Sequence, residues 1–218
     1  MDEHDERCCF AEWAAADARR ARAGKRVRGI SRDLVAALDR LGLRGRTVLD
    51  LGCGAGGVAI EAVTRGAVAA TGLDLSDAAI DEARRLSADV GTADRTSFRV
   101  GDASTAPLER HDVVILNRVF CCYPGIDALL ANSLGAAGSA YAITVPPSSG
   151  WRGGLARILV RIENARYKLQ RSRFRAFVHD LERIDRAVRA SGFARAVSQR
   201  RIAWDLRIYV READAVTT

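Results

Sequence analysis

Short apolar runs alternate with amphipathic stretches from Thr47 onward, and that alternation predicts a parallel sheet covered by helices. The predicted strands are Thr47 to Leu51, Ala69 to Leu73, Ser97 to Val100, Asp112 to Leu116 and Ala140 to Val145. Between them Ile80, Ala83, Leu86 and Val90 recur at helical spacing, and Ile126, Leu129 and Leu130 mark another helix. The expected fold class is therefore α/β, doubly wound. Upstream, the first 25 or so residues are polar and helix-prone, with Phe10 and Trp13 as anchors. Ser31 then reads as the N-cap of a helix that carries Leu34, Leu38 and Leu41 on one face and ends at Gly42.

After Pro146-Pro147 a basic segment, Trp151 to Phe177, interrupts the alternation. Its stripe of Leu155, Ile158, Leu159, Ile162 and Leu169 predicts an inserted helix that acts as a lid. A helix through Leu181, Ile184, Ala187 and Val188, ended by Gly192, follows, and strands at Ala194 to Gln199 and Ala203 to Val210 close the sheet as a hairpin. The chain thus divides into a cap (1–45), a core (46–147), a lid (148–178) and a C-terminal helix and hairpin (179–212). At 218 residues these make one domain.

Composition narrows the class. No apolar run approaches the roughly 20 residues of a membrane-spanning helix. The acidic start, Met1 to Arg7, lacks the basic-then-apolar pattern of a secretory signal, so a cytoplasmic location is expected. Cys8, Cys9, Cys53, Cys121 and Cys122 form neither a disulfide framework nor a C-x-x-C zinc spacing, and no metal site is expected. A net charge of +7 admits an anionic partner. The charge is almost all arginine in an alanine-rich chain, however, which weakens it as a functional signal.

The chemistry concentrates in Val48-Leu49-Asp50-Leu51-Gly52-Cys53-Gly54-Ala55-Gly56-Gly57, a strand running into a glycine turn and then a helix. Glycines let a ligand lie against the backbone at the strand end. Gly52, Gly54 and Gly57 also satisfy the G-x-G-x-x-G spacing, so the glycines alone do not separate a nicotinamide cofactor from S-adenosylmethionine. Asp50 discriminates between them, because a carboxylate inside a buried strand calls for a cationic partner such as an amino group. Asp74 ends the second strand, placed to accept hydrogen bonds from ribose hydroxyls, and Asp102 ends the third, placed to accept from an adenine amino group. Either aspartate alone reads equally well as a helix N-cap. Three carboxylates on three consecutive strand ends are more specific.

From about Thr47 to Val145 the chain resembles class I S-adenosylmethionine-dependent methyltransferases. The resemblance implies a Rossmann-like, seven-stranded, mostly parallel sheet with one antiparallel strand and helices on both faces. It assigns cofactor contacts to Asp50, Gly52, Gly54, Asp74, Asp102 and Ala103. The neighbouring Cys53 and Leu75 join these candidates, and Asn117 would lie beside the methyl donor. A narrower resemblance to the magnesium-protoporphyrin O-methyltransferases rests on Arg118 to Pro124, on the insert after Pro146-Pro147, and on Phe174 to His179. That family usually has histidine where this chain has Cys122.

Methyl transfer is an in-line displacement, helped chiefly by positioning and exclusion of water. For a hydroxyl or acid acceptor a base is useful, and Tyr123, Cys122 and His179 are the candidates. Each also has a plain structural role open to it, Tyr123 packing a turn and His179 capping a helix. The leading expectation is methyl transfer from S-adenosylmethionine to a small molecule, at oxygen, without nucleic acid. Three alternatives stay open: a metalloid or thiol methyltransferase using Cys8-Cys9 with Cys121-Cys122, a non-catalytic cofactor-binding or nucleic-acid-associated module, and contact of the basic insert with a membrane surface.

Overall fold

Every other residue of the central strands enters one of two separate cores, so the sheet is buried on both faces. The computed structural model describes residues 27–212. In chain order the elements are α1 (Ile30–Arg40), β1 (Thr47–Leu51), α2 (Gly57–Thr64), β2 (Ala69–Asp74), α3 (Asp77–Asp89), β3 (Thr96–Val100), β4 (His111–Asn117), α4 (Asp127–Ala136), β5 (Ala137–Val145), α5 (Gly150–Leu169), α6 (Leu181–Ala190), β6 (Phe193–Arg200) and β7 (Asp205–Arg211). On one face Val48, Ala70, Val113, Ile115 and Ile208 pack with Leu34 and Leu38 of α1, Ile60 of α2 and Ile80 and Leu86 of α3. On the other, Leu49, Leu51, Val114, Leu116, Tyr141 and Tyr209 pack with Leu129 of α4 and Ile184 and Val188 of α6. This period-two partition is what a strand with both faces buried dictates.

The sheet order is β3-β2-β1-β4-β5-β7-β6. All pairings through β5 are parallel, and β7 runs antiparallel to both β5 and β6. This is a Rossmann-like, mostly parallel arrangement with one antiparallel strand. Because β1 lies between β2 and β4, the connections diverge there and leave a crevice at the strand C-termini. Two helices start on local caps: Ser76 Oγ accepts from Ala79 N at 3.2 Å, and an Asp180 oxygen accepts from Glu182 N at 3.0 Å.

Three local expectations change. Ser31 does not cap α1; the cap is Gly29, with no side-chain bond, and Ser31 Oγ instead accepts from Asn117 Nδ2 at 3.0 Å. Leu41 is exposed, because α1 ends one residue before it. The stripe Leu155, Ile158, Leu159, Ile162 and Leu169 forms on a helix as expected but faces outward. The helical cap expected before Val27, with Phe10 and Trp13, lies outside the described residues.

Candidate active site

The turn after β1 is held open by backbone geometry that only glycine adopts cheaply. Gly52, Gly54 and Gly56 have φ of 68°, 53° and 75°. At Gly52 space is also short, since a Cβ there would lie 2.5 Å from Val119 Cγ2. The turn is tied to the end of β2 by Gly54 N donating to Asp74 Oδ2 at 2.8 Å, while Ser76 N donates to Asp74 Oδ1 at 3.0 Å. A carboxylate has about four lone-pair sites, so both oxygens keep capacity for hydroxyl donors. Burial raises the Asp74 carboxyl above its usual range.

Asp50 is the anomaly of this turn. It lies in β1 between Gly72 and Ile115, is fully buried, and neither side-chain oxygen has a hydrogen-bond partner. Burial first, and the nearby Asp74 second, push its carboxyl up to about 8. An orphaned buried carboxyl is costly unless something cationic or hydrogen-bonding meets it. Cys53, also buried, has its thiol pushed up by burial and packs tightly enough against β2 that a Cβ on Gly72 would lie 2.8 Å from Cys53 Sγ.

From this turn a cavity of about 820 Å³ runs across the strand ends. Its walls include Gly52, Gly54, Asp74, Leu75 and Ala103 around the turn and strand ends, together with Glu163, Tyr167, Phe174 and Trp204 from the later part of the chain. Asn117 and the loop after β4, with Arg118, Cys121, Cys122 and Tyr123, lie in the same wall. Asp50, Asp102 and His179 do not line it. Asn117 is fixed on both sides, donating to Ser31 and accepting from Thr144 Oγ1 at 2.9 Å. It thereby ties the start of α1 to the centre of the sheet.

The loop after β4 is strained and crowded. Arg118 has a φ of 66°, rare for a residue with a side chain, and its guanidinium sits 5.1 Å from the centre of the Trp204 ring. Cys121 and Cys122 sulfurs are 4.0 Å apart, both within reach of the Arg118 carbonyl at 3.4 and 3.8 Å. Their mutual contact, with Arg118 nearby, lowers Cys121 below the usual thiol range, and the same contact raises Cys122. Tyr123 Oη donates to Asp102 Oδ1 at 2.8 Å, and burial together with that carboxylate drives the phenol far above its ordinary value. Asp102 Oδ1 also accepts from Ser104 N and Oγ. His179 Nε2 bonds the Tyr123 carbonyl at 2.8 Å, so that nitrogen holds the loop in place.

Part of the cavity wall is built by the insert. Asn164 staples the segment after α5 to the helix, donating to Ala176 O at 2.9 Å and accepting from Ala176 N at 2.7 Å. This sets Phe174 against Tyr167, edge to face at 5.2 Å. Glu163 Oε1 accepts from Tyr167 Oη at 3.1 Å. Sequence reasoning did not single out Glu163, Tyr167 or Trp204. The inward stripe of α5, Gly153, Ala156, Val160, Asn164 and Tyr167, is small and mixed, and the stronger apolar stripe on the opposite side hides it. Cys8 and Cys9 lie outside the described residues, and among the described residues no three candidate metal ligands cluster.

Residues 48–135 match the methyltransferase domain family. The chain is 40% identical over 80 residues to the ribosomal protein L11 methyltransferase of Pasteurella multocida, 37% of this chain and 27% of that protein. It is 34% identical over 122 residues to the Yersinia pseudotuberculosis protein of the same name, 56% of this chain and 37% of that protein. The chain therefore spans about a quarter to a third of these relatives' length. Its fold is similar to magnesium protoporphyrin IX methyltransferase from Synechocystis, solved with bound SAH, at a TM-score of 0.67 and 21% identity over 84% of this chain and 82% of that one. It is also similar to geranyl diphosphate C-methyltransferase from Streptomyces coelicolor, at 0.62 and 16% over 83% and 77%.

Proposed function

Since residues 48–135 of this chain are a methyltransferase domain on the class I S-adenosylmethionine-dependent fold, we propose that the protein transfers a methyl group from S-adenosylmethionine to oxygen of a small-molecule acceptor. The observation that carries this is one cavity whose walls join the glycine turn and Asp74 to the aromatic side chains Tyr167, Phe174 and Trp204 and the carboxylate of Glu163. Its volume of about 820 Å³ is near the upper end of small-molecule sites. The fit of the cofactor rests on Asp50, whose unpartnered oxygens under the turn suit a cationic group or a water that relays to one.

Bound at the turn, S-adenosylmethionine would supply an electrophilic methyl carbon on a sulfonium. Gly52, Gly54 and Leu75 give it backbone to lie against, and Asp74 offers its spare lone pairs to ribose hydroxyls. Asp102 does not line the cavity, so with Oδ1 committed to Ser104 and Tyr123 its part is to hold Tyr123 in the wall where the adenine would lie. Asn117 and Ala103 complete the wall near the reacting centre. Tyr167, Phe174 and Trp204 suit a flat or apolar acceptor and exclude water. Glu163 accepts the acceptor's proton as its oxygen attacks. The insert acts as the lid that closes over the acceptor.

Neither the proteins named for ribosomal protein L11 nor the fold neighbours carry the acceptor over to this chain, the first by coverage and the second by identity. The test is calorimetry and turnover. The protein should bind S-adenosylmethionine and its demethylated product and not NAD. Glu163→Gln should lower kcat by roughly 10²-fold with cofactor affinity unchanged. Binding of NAD alone would overturn the reading.

A further inference from the structure

We propose that the outer face of α5 seats on an anionic lipid surface. The helix has two opposite faces. At 100° per residue, Trp151, Leu155, Ile158, Ile162 and Leu169 fall within about 60° of one another, while Gly153, Ala156, Val160, Asn164 and Tyr167 lie on the other side. The inner residues meet the protein. Among the described residues the outer ones meet no partner in either core: Trp151, Ile162 and Leu169 are 72%, 62% and 85% exposed. Isolated exposed apolar residues are ordinary, but a continuous helical stripe of them marks an interaction surface.

Charge selects the occupant. Exposed Arg161 and Lys168 flank the stripe on one side and Arg166 on the other, while Glu163, the only acid in the helix and itself exposed, lines the cavity. Apolar side chains between cationic flanks match an anionic interface, where the stripe enters the headgroup boundary and long basic side chains reach the phosphates. A second copy of the chain would set these same cationic flanks against each other. The net charge of +7 acts in the same direction. No described helix is long and apolar enough to cross a bilayer, so the contact is a surface one. It would place the acceptor end of the cavity about one helix diameter, roughly 10 Å, from the lipid.

The test is sedimentation of the full chain with sucrose-loaded vesicles of phosphatidylcholine alone or with phosphatidylglycerol. It reads binding only, so it is decided independently of whether a methyl group is transferred. The protein should pellet with the anionic vesicles roughly ten-fold more than with neutral ones, and less as salt is raised. Ile158→Glu with Ile162→Glu, and separately Arg161→Glu with Arg166→Glu, should each remove that binding while thermal midpoint and S-adenosylmethionine affinity stay unchanged. Wild-type protein left in the supernatant with anionic vesicles overturns the proposal, whether a second copy or residues 1–26 cover the helix. So does equal pelleting of the Ile158→Glu, Ile162→Glu variant. Sedimentation equilibrium identifies a dimer should the stripe be a self-contact.

Discussion

Tyr123 Oη donates to Asp102 Oδ1 at 2.8 Å, tying the loop after β4 to the end of β3 across the cavity wall. The bond holds Tyr123 in the wall where the adenine would lie, and it engages the phenol's proton. A phenol held above its usual range by burial and by a neighbouring carboxylate is a poor base.

Tyr123→Phe is therefore expected to weaken cofactor binding and to leave the pH dependence of kcat unchanged. Losing one hydrogen bond to a charged acceptor costs about 1.5–3 kcal/mol at most, and Ser104 still holds the same oxygen. Calorimetry and a pH–rate profile check it. Loss of turnover at full cofactor affinity would return Tyr123 to the chemistry.

Asp50 predicts an inverted stability profile. Its carboxyl sits at about 8 in the fold against an ordinary 3.8, so the folded state binds the extra proton between those values. Stability from this group is complete below about pH 4 and is lost as pH rises toward 8. At pH 7 the penalty to the cofactor-free protein is on the order of 4 kcal/mol as an upper bound. Asp50→Asn should raise the melting temperature at pH 7.5 and flatten its dependence on pH between 5 and 8, at the expense of cofactor affinity. Binding of S-adenosylmethionine to the wild type should release a proton, read by calorimetry in buffers of different ionisation enthalpy. No release would mean that the carboxyl does not meet the cofactor's charge.

The succession of strands and helices along the chain and the glycine turn were legible because short apolar runs and the Asp50 to Gly57 motif are local signals. Strand limits matched within a few residues for the same reason. What stayed hidden depends on tertiary direction. The periodicity of α5 announced a helix, but the larger stripe faces out, and the face that builds the cavity reads in sequence as small and polar residues around Tyr167. Ser31 shows the same limit. A serine before an apolar run looks like a cap, yet its hydroxyl receives Asn117 from β4, a partner 86 positions away.

Arg207 predicts where the fold is most sensitive away from the cavity. Buried in β7, it donates to Asp185 Oδ1 at 2.9 Å and to Glu182 Oε1 at 3.0 Å on α6, and Tyr209 Oη donates to the same Asp185 oxygen at 3.0 Å. Asp185→Ala removes the buried one of the two carboxylates that meet the guanidinium and leaves the more exposed Glu182, so the loss should stay below the roughly 3–5 kcal/mol of a fully orphaned buried charge. Urea denaturation should show the midpoint falling with the slope unchanged. Arg207→Met, which removes the charge and keeps the stem, should cost less than Asp185→Ala.

The two adjacent thiols differ in acidity, and that difference predicts both their reactivity and their part in turnover. The two sulfurs meet at 4.0 Å, a contact that lowers Cys121 and raises Cys122, and Arg118 adds to the lowering of Cys121. Iodoacetamide at pH 7.5 should therefore modify Cys121 before Cys122, with the buried Cys53 slowest. Cys122→Ala removes the contact and should slow labelling of Cys121. With its thiol raised by burial and by Cys121, Cys122 is expected to act neither as a base nor as a thiolate ligand, so Cys122→Ala should retain turnover within a few-fold. Mass spectrometry of the labelled peptides and steady-state assays read the two effects separately. Loss of turnover in Cys122→Ala with S-adenosylmethionine affinity intact would restore the thiol as an acid–base or soft-ion group. Retained turnover would leave Glu163 as the proton acceptor at the acceptor end of the cavity.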